Sequence, residues 1–122
     1  MDSILTSVKK LLGIAEEYTH FDSDIIMHIN TVFSALTQMG VGPAGGFSIV
    51  DTYATWDEFT SENVSLASVR TYMYLKVRLL FDPPQNSSVM SAMERQTSEL
   101  EWRLNLTGET LAEKSDEEDE WP

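Results

Sequence analysis

The sequence predicts an all-α fold: a small bundle of about four helices around a central buried helix at Ser65–Asp82, with an extended arm or short hairpin at 41–62. Three observations lead there. Apolar residues recur three and four apart through long stretches, the spacing of one face of a helix. Glycine and proline interrupt those stretches where a helix must stop. Strand-like alternation is confined to one short segment after Gly46.

The central helix is the best marked. In SLASVRTYMYLKVRLLFDPP, Leu66, Val69, Met73, Val77 and Leu80 form one apolar row, and Tyr72, Leu75 and Leu79 form a second beside it. A surface that wide is covered on more than one side. Ser65 is placed to accept from the open amides of the first turn. Pro83 and Pro84 end the helix, since neither donates a hydrogen bond and each drives the preceding residue out of helical geometry. The rod is roughly 27 Å long, about the width of a small domain.

The N-terminal stretch predicts a short helix through Leu12, capped by Asp2 or Ser3, with Ile4, Leu5, Val8, Leu11 and Leu12 facing inward and Gly13 stopping it. A second helix starts near Asp22 or Ser23. Its stripe is Ile25, Ile26, Ile29, Val32, Phe33, Leu36 and Met39, Gly40 closes it, and Asp22 and Asp24 place negative charge at the positive end of its dipole. VGPAGG then lets the chain turn freely. FSIVDTY reads as a short strand or an extended run, and Thr55 followed by Glu58 fits a capping box opening a brief helix through Phe59. After the prolines, Asn86 to Ser88 cap a last helix to about Leu106, with the stripe Val89, Met90, Met93, Thr97, Leu100 and Leu104. Glu94, Arg95, Glu99, Glu101 and Arg103 are assigned to its other side, Trp102 lies off the stripe, and Gly108 is expected to break the helix. Residues 1–108 therefore read as one helical domain and 109–122 as an acidic C-terminal tail with too few apolar residues to fold alone.

Hydrophobic residues make up 42% of the 122, enough for a core, and no cysteine is present for a disulfide or a thiolate metal site. No apolar run is long enough to span a membrane, and no basic region followed by an apolar run suggests a secretory signal. The net charge is −12, with Asp116, Glu117, Glu118, Asp119 and Glu120 in one run. Gripping nucleic acid needs clustered Lys and Arg to displace counterions from phosphate. Here the basic residues are few and scattered, so the surface repels DNA. His20 and His28 are too far apart for a short-spaced metal pair and no cysteine supplements them. No carboxylate lies near a motif that would raise its pKa, and the glycines from Gly40 to Gly46 lack the Lys and Ser/Thr of a phosphate loop. No catalytic residue, metal or cofactor is predicted, and the chain is not read as an enzyme.

Several blocks of the sequence resemble the head–tail connector (head-completion adaptor) family of long-tailed bacteriophages. They are DIIMHINTVF at Asp24–Phe33, Gly40-Val41-Gly42-Pro43, Gly46-Phe47, TWDEF at Thr55–Phe59, VRTY at Val69–Tyr72, YLKVRLLFDPP at Tyr74–Pro84 and ELEWRLN at Glu99–Asn105. The LLFDPP and ELEWRLN blocks are the specific ones, and the resemblance spans roughly residues 3 to 107, leaving out the acidic tail. It implies an all-α, non-catalytic subunit, made in the host cytoplasm and built into the neck of the virion. Such subunits form a homo-oligomeric ring of about twelve copies beneath the portal vertex. The ring extends the DNA channel and docks the next neck, stopper or tail protein. An acid-coated wall lets DNA pass without being held.

A ring needs two unlike patches on each subunit. The expected subunit interface pairs an arm bearing Phe47, Trp56 and Phe59 with a helical face bearing Arg70 or Arg78. Trp102, Leu106, Leu111 and Trp121 are expected at the portal, because tryptophan is enriched at interface hot spots. The competing reading is an acidic adaptor or mimic that binds a basic partner through its C-terminal tail. A helix-turn-helix regulator would need a basic recognition helix, which is missing.

Overall fold

The structure is a computed structural model that describes residues 3–59 and 66–119, with side chains as far as residue 110. Its helices are α1 (Ile4–Leu12), α2 (Asp22–Gln38), α3 (Trp56–Phe59), α4 (Leu66–Phe81) and α5 (Ser87–Asp119). The all-α expectation is met: among the described residues the only strand-like pairing is a single bridge between Ser3 and Thr55.

α4 is the central element, packing on α1, α2 and α5. Val69, Tyr72, Met73, Leu75 and Val77 are buried. The expected Ser65 cap lies outside the described residues. Leu80, assigned to the main row, is exposed; in the last turn Val77 and Phe81 take the inward positions instead.

α1 begins as its sequence reads. Ser3 Oγ accepts from the Thr6 N–H at 3.2 Å, and Gly13 ends the helix at φ +82°, a left-handed conformation that costs glycine little. Leu11 is exposed rather than inward, whereas Lys9 is 2% exposed. The Lys9 Nζ donates to the carbonyls of Glu16 at 3.0 Å and Tyr18 at 2.8 Å, and pairs with Asp22 at 2.8 Å. One cation thus ties the 13–21 loop and the start of α2 to α1. In α2, Ile25, Ile29, Val32, Phe33 and Leu36 are buried as the periodicity requires.

Over the described residues 41–59 the middle of the chain forms no strand or hairpin. FSIVDTY is the extended run of the two alternatives, laid over α2 instead of projecting as an arm. Residues 60–62 lie outside the described residues. Asn30 donates to the Ile49 carbonyl at 2.9 Å and accepts from the Ile49 N–H at 2.8 Å. Farther on, Ile4 N–H donates to the Ala54 carbonyl at 2.9 Å. Half of the capping box forms: Glu58 accepts from the Thr55 N–H at 3.2 Å, while the Glu58 N–H donates to the Thr55 carbonyl and not to its hydroxyl. Ile49, Trp56 and Phe59 are buried, and each such burial contributes about 1.5–3 kcal/mol. Detaching the segment would forfeit several kcal/mol.

α5 is longer than expected. Asn86 caps it, its Oδ1 accepting from the Ser88 N–H at 2.9 Å and the Val89 N–H at 3.2 Å. The helix then runs unbroken through Gly108 to Asp119. Gly108 is buried against the end of α2, where a Cβ would collide with the Met39 carbonyl. The glycine serves close approach, not a stop.

Candidate functional surfaces

The long helix sets up the most prominent candidate surface. Thr97 and Leu104 are buried and Leu100 packs beside the core, which rotates Trp102 and Leu106 to the far side. These lie one turn apart and are 63% and 43% exposed. Arg103, paired with Glu99 at 2.6 Å, flanks them. A tryptophan this open can bury a large apolar area and still offer its indole N–H. Two portal-side residues expected from sequence therefore share one face. The Leu111 side chain and Trp121 lie outside the described residues.

A polar seam holds that face in place. Tyr72 donates to Glu101 Oε1 at 3.0 Å, and Lys76 pairs with the same oxygen at 3.2 Å. Glu101 therefore faces α4 and not the outer side to which its sequence position assigned it. Burial, followed by the hydrogen bond to Glu101 and the negative charge of that carboxylate, pushes the Tyr72 hydroxyl well above the ordinary tyrosine value.

The expected subunit-interface residues do not form one outward patch. Phe33 is the hub of an internal aromatic cluster, with ring centroids 5.0 Å from Phe47, 5.0 Å from Phe59 and 6.2 Å from Trp56. Trp56 Nε1–H donates to Ser7 Oγ at 2.8 Å, and Gly42 lies so close to Phe59 that a Cβ there would strike the ring. Trp56 and Phe59 therefore anchor the segment to its own subunit, and the half-buried Phe47 packs with them. Aromatic content alone could not distinguish an outward anchor from an inward one. The Arg70 guanidinium lies over the Trp56 ring, 5.5 Å from its centroid. Arg78 pairs with Asp82 at 3.0 Å within its own helix and stays partly exposed.

Two surface features had no counterpart in the sequence reading. Val50 and Tyr53 are almost wholly exposed, on the loop whose base Asn30 holds. Leu12, Ile14, Phe21 and Phe81, with Asp82 at the rim, line an apolar hollow of about 380 Å³. The sequence hint was slight: two apolar residues flanking Asp51 in a run that alternates only briefly. Among the described residues no group of three His, Cys, Asp or Glu could hold a metal ion, and no helix is long and apolar enough to cross a membrane.

No curated protein and no solved structure gives a significant match to the chain. A family model described as phage connector protein matches residues 4–110, from the first residue of α1 into the distal part of α5. The chain therefore belongs to the phage connector protein family, structural components of the bacteriophage virion that link head and tail.

Proposed function

We propose that the protein is the repeating subunit of a closed ring, of about twelve copies, seated beneath the portal vertex. The ring prolongs the DNA channel and gives the next neck or tail protein a platform. The observation that carries this reading is the reach of the family match, residues 4–110, over the whole packed helical body.

Two features support it. Trp102 and Leu106 form an apolar pair on the outer face of α5, suited to docking on the portal, with Leu111 and Trp121 farther along the same C-terminal region. The net charge of −12 disfavours adhesion to passing DNA. In sequence, the acidic run Asp116–Glu120 follows the residues of that face.

Electron microscopy of the protein mixed with its portal tests the reading. A ring of added density under the portal is expected. Portals without such density, or full activity of an isolated 109–122 peptide on a basic partner, would overturn it in favour of an acidic adaptor.

A further inference from the structure

Val50 and Tyr53 are the most exposed large apolar side chains among the described residues, at 82% and 81%. Their loop is nonetheless held firmly. Asn30 grips Ile49 from both sides of its peptide, and Ala54 bonds to Ile4. Between them Asp51 Oδ1 accepts from the Tyr53 N–H at 2.9 Å. The result is a fixed knob, apolar at both ends and acidic in the middle. Leaving such side chains in water on an ordered loop is unfavourable unless something covers them.

The hollow of Leu12, Ile14, Phe21 and Phe81 lies at the other end of α1. The knob is tied to Ile4 and the hollow starts at Leu12, roughly 12 Å along the helix axis. A subunit leaves its own Tyr53 in solvent and its own hollow open. The hollow's floor is aromatic and apolar, with Phe21 and Phe81 ring centroids 5.4 Å apart and nearly perpendicular. Its rim carries Asp82 and, through the ion pair at 3.0 Å, Arg78.

We infer that the Val50–Tyr53 knob of one copy seats in the Phe21–Phe81 hollow of the next, the two unlike halves of a head-to-tail contact. The inference rests on the ring reading and names the surfaces that close the ring. A cavity of about 380 Å³ has room for one phenol ring. Seated there, Tyr53 brings its hydroxyl to the Asp82 carboxylate and Asp51 faces the Arg78 guanidinium. In a chain of net charge −12 copies repel, so an acid brought to the contact needs a donor to meet it. Arg78 bonds Asp82 through Nη1, and its other guanidinium N–H groups remain to meet Asp51. Tyrosine and arginine are also the residues that most often dominate contact energies.

The absence of native cysteine allows a clean test. Thr52→Cys and Pro83→Cys, at exposed positions beside the contact that leave Tyr53 and Asp82 in place, are introduced together and the assembled protein is treated with a short bismaleimide, alone and on its portal. A ladder of covalent multimers is expected from the double variant, and no product beyond a dimer from either single variant. In parallel, the Val50→Ser, Tyr53→Ala pair should lower the ring population by about tenfold in native mass spectrometry with helical content unchanged. Rings that form without a ladder, or that tolerate the Val50→Ser, Tyr53→Ala pair, overturn the inference and leave the ring reading standing. An unmodified chain that makes no ring, free or on the portal, overturns both.

Discussion

Gly108 of α5 lies against Met39 at the end of α2, with no room between them for a methyl group. This crossing holds the long helix against the body of the subunit and sets where its distal part leaves it. Alanine is the better helix former by about 1 kcal/mol. At this position the collision with backbone should outweigh that gain, so Gly108→Ala should destabilise the protein by about 1–3 kcal/mol. A lower urea midpoint with an unchanged denaturant slope is the expected result.

Lys9 is the buried cation that joins α1, the following loop and α2. Lys9→Ala leaves the Asp22 carboxylate and the Glu16 and Tyr18 carbonyls without their donor. Breaking a buried pair by removing one partner costs about 3–5 kcal/mol. The partial exposure of Asp22 places the expected loss toward the lower end, measurable by chemical denaturation.

Tyr72 makes stability depend on alkaline pH. Its hydroxyl titrates above its unfolded value, near 10, so the fold favours the protonated form. Its contribution is complete below the unfolded value and is lost as pH rises toward the folded one. Wild-type stability should therefore fall more steeply above about pH 10 than that of Tyr72→Phe. At neutral pH the variant should be weaker by about 1–2 kcal/mol, the worth of a hydrogen bond to a partly exposed charged group. Denaturation series at several pH values check both statements.

Trp56 and Trp102 separate folding from docking. Trp56→Ala should cost about 3–5 kcal/mol, because it empties a site inside the aromatic cluster around Phe33. Trp102→Ala should change stability by less than about 0.5 kcal/mol and weaken portal co-purification by about tenfold or more. Thermal melts paired with pull-downs on the portal distinguish these outcomes.

Most of the helical frame was legible in the residues themselves. The spacing of Ile25, Ile29, Val32 and Leu36, the serine before Ile4, the glycine after Leu12 and the pair Thr55 and Glu58 act within one or two helical turns, and that range lies within the sequence. What a side chain meets across the molecule does not. Trp56 and Trp102 look alike as residues, yet one closes the core and the other stands in solvent, a difference set by which elements pack over them. Lys9 sat on an apolar stripe with no sign of the carbonyls that would receive it. Gly108 reads as a helix stop until the backbone of α2 comes up against it. Tertiary structure decided these points because each depends on a contact between residues far apart in the chain.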